Sequence, residues 1–253
     1  MIGKTLAELG QREKALECYD KALAIDSSAE TACFNKAVDL AALGRIEEAL
    51  DCYDQVLAIN PQHKGCWFNK GHVLNALGRR EEAIRCYDEE LLIDPRHLGA
   101  WNNKGLALAA LGRHEEAIAC YDEALDLDPL EPKYWHNKGL DLAELGRHNE
   151  AIGCFDQLLT IDPQHSGAWN SKGISLDELG RCDEAIKCYL KALTLDPQHA
   201  NAWFNKAISE EKAGLASEAV FSYRRFLEFA PHHHSLINQA SAPSILDARV
   251  KAL

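Results

Sequence analysis

Residues 34 positions apart in this chain repeat one another. Stepping by that interval from Gly112 meets Gly10, Gly44, Gly78, Gly146, Gly180 and Gly214. Stepping from Tyr121 meets Tyr19, Tyr53, Tyr87, Phe155, Tyr189 and Tyr223. Trp101 is matched by Trp67, Trp135, Trp169 and Trp203, with Cys33 in the earlier slot, and Pro129 by Pro61, Pro95, Pro163, Pro197 and Pro231. A sequence with this translation must fold as stacked equivalent units, each meeting only its neighbours, and not around one central core.

Each unit reads as two helices. Trp101, Gly105, Leu108 and Leu111 recur at helical spacing and form one apolar stripe, in which Gly105 lets a neighbouring helix come close. Gly112 ends this helix by taking the left-handed conformation. Ala117, Ile118, Tyr121, Ala124 and Leu125 form the buried face of a second helix, with Glu115 and Glu116 in the first turn where the helix dipole favours negative charge. Pro129 forbids continuation, and Asp128 before it is pushed out of helical geometry. One such hairpin cannot bury its own apolar face, so neighbours stack into a solenoid with a concave and a convex side.

The spacing of Trp101, Lys104-Gly105, Leu108, Ala117, Tyr121 and Pro129 resembles the tetratricopeptide repeat over almost the whole chain. Lys replaces the usual Leu at Lys36, Lys70, Lys104, Lys138, Lys172 and Lys206, and Leu replaces the usual Tyr at Leu40, Leu74, Leu108, Leu142 and Leu176. The resemblance implies an all-α, right-handed superhelix of antiparallel helix hairpins whose groove is lined by the first helix of each unit. By that resemblance the first groove slot holds Phe34, Phe68, Asn102, His136, Asn170 and Phe204, and the second Asn35, Asn69, Asn103, Asn137, Ser171 and Asn205. The third holds Val38, His72, Leu106, Leu140, Ile174 and Ile208, and the fourth Ala41, Asn75, Ala109, Ala143, Asp177 and Glu211.

Asparagine carries both donors and an acceptor, so the second-slot row could hold the backbone of an extended peptide; it could equally brace neighbouring helices. Apolar first- and third-slot residues suit a partner with hydrophobic anchors. Asp177, Glu178, Glu210 and Glu211 suit a basic residue at one end of it. The carboxylate clamp of some family members needs Lys in the first slot and Asn in the third, and neither occurs here, so chaperone-tail binding is not implied. The Lys row points toward the preceding hairpin, where snorkelling stems would meet acidic neighbours.

In chain order, residues 1–29 form a partial first repeat in which Met1 aligns with Asn35, so the chain starts oddly or belongs to a longer protein. Six full units span 30–63, 64–97, 98–131, 132–165, 166–199 and 200–233. The last is altered by Ala207, Glu210, Ala213 and Leu215, a drift suited to a terminal unit facing water. In 234–253, Ser244 could cap a final helix whose Ile245, Leu246, Arg249 and Val250 cover the last hairpin, the alternative being a disordered tail.

The reading is a non-catalytic module that binds a peptide segment of a partner in the concave groove. Its alternatives are a self-assembling, head-to-tail scaffold and the targeting domain of a larger enzyme. The 39 acidic residues against 27 basic, a net charge of −12, weigh against nucleic acid. No apolar run spans a bilayer and no signal-peptide core stands at the start, which implies a cytoplasmic chain. His63, His97, His165, His199 and His233 follow the prolines as solvated turn residues, a repeat apart and too distant to share a metal. The run His232–His234 lacks a carboxylate or Cys partner at metal spacing. No metal, cofactor or nucleophile set is therefore expected.

Cys18, Cys52, Cys86, Cys120, Cys154 and Cys188 keep the period, each just before the second-helix aromatic. Successive hairpins stack on the order of 10 Å apart, beyond the roughly 7 Å limit of a disulfide. These residues act as small hydrophobes in a reducing compartment. Titration in denaturant without reductant should find nine free thiols; fewer would contradict this reading.

Overall fold

In the turn between the two helices of a unit, Gly44 sits at φ 76° with its amide donating to the Ala41 carbonyl, and the Arg45 amide reaches back to the Leu40 carbonyl at 2.9 Å. This is a Schellman-type stop, and the same left-handed glycine closes the first helix at Gly78, Gly112, Gly146, Gly180 and Gly214. The arginine that follows begins the next helix and clamps its first turn: Arg45 Nε and a terminal guanidinium nitrogen each donate to Glu48 at 2.7 Å.

The computed structural model describes residues 5–7 and 10–229, which contain no strand. The chain divides into two units, 1–128 and 129–253. In the first, residues 5–7 are helical (α1) and are followed by α2 (Arg12–Ile25), α3 (Glu30–Ala42), α4 (Ile46–Ile59), α5 (Cys66–Ala76), α6 (Arg80–Ile93), α7 (Leu98–Ala109) and α8 (His114–Leu127). The second holds α9 (Pro132–Glu144), α10 (His148–Ile161), α11 (Ser166–Glu178), α12 (Cys182–Leu195), α13 (Ala200–Lys212) and α14 (Ala216–Phe229). Each unit is a stack of antiparallel helix hairpins, an α-solenoid of the tetratricopeptide type. The alignment of Met1, the run His232–His234 and the expected capping helix over 245–253 all lie outside the described residues.

Four of the hairpins close on an aromatic ring laid against bare backbone, at Gly71, Gly105, Gly139 and Gly173. A Cβ added to Gly105 would stand 2.5 Å from Tyr121 Cε1, and one on Gly139 would stand 2.6 Å from Phe155 Cε1. The rings of Tyr121 and Phe155 are buried in that space. Leu111 departs from expectation: it lies in the turn beyond α7, half-exposed, and not in the buried stripe.

The turn between units is a second fixed assembly. The Asp162 carboxylate accepts from the Gln164 amide at 3.0 Å, and the Trp169 indole N–H donates to the Pro163 carbonyl at 3.1 Å. The same indole-to-proline bond recurs at Trp67, Trp101, Trp135 and Trp203. The turn histidines are not merely solvated. Nδ1 of His97, His165 and His199 accepts from the amides of Ala100, Ala168 and Ala202, so each caps a helix, half-buried.

Lysines join neighbouring hairpins as expected. Lys36 meets Asp20 at 2.6 Å, Lys104 meets Asp88 at 2.6 Å, Lys172 meets Asp156 at 2.5 Å, and Lys70 pairs with Asp54. Their stems lie along the tryptophans, with Lys104 Nζ 5.5 Å from the Trp101 ring. The cysteines are free and mostly buried; burial pushes Cys52, Cys86 and Cys120 up to about 11 and Cys66 up to about 12. Cys52, Cys66, Cys86 and Cys120 are therefore neutral packing groups at ordinary pH.

The last hairpin does not simply turn polar residues to water. Glu210, in the core-leucine position, is buried, pairs with Lys206 and accepts from Ser222 Oγ at 2.7 Å. Ser222 stands in the cysteine row, and Leu190 stands where the lysine's usual aspartate would be. Without that aspartate, Lys206 turns inward, and the Leu–Cys pair of other units becomes Glu–Ser. Lys206→Met alone should cost about 3–5 kcal/mol by stranding a buried carboxylate. Adding Glu210→Leu and Ser222→Cys, which restores the apolar pattern, should recover that loss. Denaturant midpoints with circular dichroism check both, and a single variant as stable as the triple would refute the coupling.

Candidate functional site

The first helices touch in series, α3 with α5 and α5 with α7 in one unit, α9 with α11 and α11 with α13 in the other. Their faces therefore line a continuous surface within each unit, on which the four expected slots take different roles.

The first slot packs inward. Phe34 stacks on His63 with ring centroids 4.6 Å apart and meets Tyr53 edge-on at 6.2 Å. Phe68 repeats this against His97 at 4.6 Å and Tyr87 at 6.1 Å. His136 takes the same place against His165 at 5.2 Å and Phe155 at 6.1 Å; burial, then the neighbouring His165, hold its pKa below the usual imidazole value. Phe204 lies 5.1 Å from Phe226, while Asn102 and Asn170 are buried. These residues shape the wall more than they offer side chains to a ligand.

The second-slot asparagines are half-buried, and several are engaged. Asn69 Nδ2 donates to the Gly65 carbonyl at 2.7 Å, Asn102 Nδ2 to Asn103 Oδ1 at 3.2 Å, and Asn205 Nδ2 to Asn170 Oδ1 at 3.1 Å. The last bond crosses from one hairpin to the next. Bracing is thus a real role of this row.

The third slot faces out. Val38, Leu106, Leu140 and Ile174 are exposed, from 37% at Val38 to 42% at Leu106. His72 is exposed between Val38 and Leu106 in the series, and Ile208 is half-buried. Large apolar side chains held open on ordered helices are the distinctive feature of this face.

The expected acidic end is smaller than four carboxylates. Glu210 is buried in its ion pair and does not reach the surface. Asp177 accepts from the Tyr189 hydroxyl at 2.9 Å and from Ser209 Oγ, and Glu211 accepts from the Tyr223 hydroxyl at 2.8 Å. Burial first, then the Asp177 charge, raises the Tyr189 phenol, which stays protonated and able to donate. Glu178 is exposed.

Glu90 was not anticipated. Buried at the position of Val56 and Leu158, it accepts from the Gly65 amide at 3.0 and 3.1 Å and from the Phe68 amide at 3.3 Å. Gly65 is left-handed at φ 81°, so α5 begins at Cys66, and a carboxylate from α6 serves its first turn in place of the histidine cap. A lone acid in an apolar row of the repeat was the readable signal. Among the described residues, no group of three or more His, Cys, Asp or Glu side chains could hold a metal ion, and no helix is long and apolar enough to cross a membrane.

Comparison with known proteins agrees with this geometry. Family models described as tetratricopeptide repeat match residues 1–28, 31–63, 65–97, 99–129, 132–165 and 171–234. The fold is similar to YrrB, a tetratricopeptide repeat protein with an unusual peptide-binding site, at 22% identity over 74% of this chain and 96% of that one, with a TM-score of 0.66. It is similar to the C-terminal part of a repeat-containing protein from Cytophaga hutchinsonii, at 15% identity over 94% and 97% of the two chains, with a TM-score of 0.80. The type IV pilus biogenesis factor PilW aligns at 19% identity over 84% of this chain and 98% of its own, with a TM-score of 0.69. No curated protein matches by sequence. From its repeat spacing, its hairpins and these matches, the chain belongs to the tetratricopeptide repeat family.

Proposed function

We propose that the protein is a non-catalytic interaction module that binds an extended peptide segment of a partner protein on the groove face of the first helices. The observation that carries this reading is the apolar side chains left exposed on that face in each unit, Val38 and Leu106 in one and Leu140 and Ile174 in the other. With about two-fifths of each side chain still in water, covering them would contribute about 1 kcal/mol each, which a partner's apolar anchors would supply. The remaining acidic groups, Asp177, Glu178 and Glu211, favour a basic residue toward one end of that segment. Asparagines beside the row supply polar contacts to its backbone, within the limits set by their bracing bonds. Many of the charged residues are committed to helix ends and ion pairs, as Arg45 with Glu48 and Lys104 with Asp88, which supports binding over catalysis.

A variant carrying Leu106→Asp and Leu140→Asp tests the groove in a pull-down beside the wild type. Both positions are exposed, so helicity and melting should hold, while a specifically captured partner should bind at least about tenfold more weakly. Equal capture would remove the groove from the function.

A second reading, head-to-tail self-association, draws on α14. Leu227 is 40% exposed, whereas Leu57, Leu91, Leu159 and Leu193, its equivalents in earlier hairpins, are only 6–8% exposed. Leu159 and Leu193 achieve this by packing against Ala168–Trp169 and Ala202–Trp203 of the following hairpin. Sedimentation equilibrium over a wide concentration range should show mass rising with concentration, abolished by Leu227→Glu; a constant monomer mass rejects this reading.

A further inference from the structure

The turn histidines do not have equal surroundings. Phe34 lies on His63 and Phe68 on His97, with ring centroids 4.6 Å apart in both pairs. Each of these histidines also has a carboxylate near Nε2, Glu30 at 3.5 Å from His63 and Glu90 at 3.9 Å from His97. In the α9–α10 repeat the pattern changes twice. His136 takes the place of the phenylalanine, 5.2 Å from His165, and the positions equivalent to Glu30 and Glu90 hold Pro132 and Leu158. Two imidazoles thus meet where the other repeats set an apolar ring and an acid.

Neither ring is set to take a second proton. His165 Nδ1 accepts from the Ala168 amide at 2.9 Å and so caps α11. A protonated imidazole donates from both nitrogens, which removes that acceptor and puts a cation at a helix N-terminus. His136 Nε2 is buried with no hydrogen-bond partner among the described residues, so a proton there has nothing to donate to. The groups facing His136 are His165 from the turn and the Phe155 ring of α10, 6.1 Å away. From α11, uncharged Gly167 lies against the His165 ring. The charges nearest in sequence are engaged: Lys133, one turn earlier on α9, meets Glu131 at 3.3 Å, and Asp162 accepts from the Gln164 amide at 3.0 Å.

We propose that His136 and His165 form an acid-sensitive joint, at which the packing of α9, α10 and α11 loosens when the pair takes up a proton. At neutral pH both rings are uncharged, and the ring contact and the cap hold. Burial first, then His165, keeps His136 below the usual imidazole value of 6.5, so the folded chain binds the proton less well than the unfolded one. The stabilisation is therefore complete above that value and is lost as pH falls from it toward the depressed value of the folded state. Leu140 on α9 and Ile174 on α11 ride on the loosened helices, so the exposed apolar face of this unit loses its order in acid. The joint belongs to the folded chain alone and is tested without a peptide, so it stands or falls apart from groove binding.

The variant His136→Phe copies the arrangement of Phe34 and Phe68 and should fold. It is compared with the wild type in urea unfolding followed by circular dichroism, between about pH 7 and pH 5. As pH falls, the unfolding equilibrium constant of the wild type should rise more steeply than that of the variant, by up to about tenfold per pH unit for the one extra proton. A second measurement follows the imidazole Cε1 protons of the intact chain by NMR. His136 should titrate below the ordinary imidazole value, and its midpoint should move up in His165→Asn, whose amide oxygen can still cap α11. Parallel pH dependence of the wild type and His136→Phe, or a His136 midpoint indifferent to His165→Asn, would overturn the proposal.

Discussion

Four central hairpins depend on an aromatic ring of the second helix meeting the first helix at a residue without a side chain, Gly71, Gly105, Gly139 or Gly173, and alanine takes that place at Ala37 and Ala207. Tyr121 against Gly105 and Phe155 against Gly139 set how closely the two helices approach. That separation then decides which residues can reach the next hairpin. Trp169 and Ala168 close over Leu159, and Trp203 and Ala202 close over Leu193, because the turn between hairpins is held by the indole-to-proline bond and the histidine cap. The ring-on-glycine contact is local, but through this turn it fixes the stacking of units that would each be too small to bury their own apolar face.

Much of this was legible in the sequence, for a physical reason. A repeat states every packing rule several times, so glycine, tryptophan, proline and aromatic positions stood out without any structure. The lysine row was readable in the same way, since its helical phase could only point back to the aspartates of the preceding hairpin. What periodicity could not show was the set of polar bonds inside the turns. The histidines look solvated by composition, and only the fold reveals Nδ1 aimed at an amide three residues on. Leu111 was misplaced for a similar reason, because the helix stops before the turn leucine and leaves it half-exposed.

The groove was harder to read than the scaffold. Family resemblance placed four slots on one face, yet side-chain direction splits them: Phe34 and Phe68 fold back onto histidines, while Leu106 and Leu140 stand clear. Asparagine identity alone could not separate bracing from display, because the amide serves either use, and it takes a bond such as that from Asn205 to Asn170 to reveal a brace. The acidic cluster at the last hairpin was overcounted because Glu210 looks like a surface residue until Leu190 is seen to have removed the lysine's ordinary partner. Departures from a repeat carry meaning in groups, and each member is misleading when taken singly.

The buried carboxylate of Glu90 bears on how such a chain finds its own alignment. Nearly identical hairpins invite mispairing, because a second helix can dock on the wrong first helix with most apolar contacts preserved. Glu90 meets the Gly65 and Phe68 amides at a turn that a left-handed residue opens toward it, and lies 3.9 Å from His97 Nε2. Gly99 and Gly167, at the same place in later repeats, lie in the first turns of α7 and α11, where His97 and His165 already cap the amides of Ala100 and Ala168. A slipped hairpin would therefore bury an uncompensated charge, a penalty of several kcal/mol. The repeat that carries Glu90 and Gly65 thereby acts as a registration mark, disfavouring a misaligned pairing of similar hairpins.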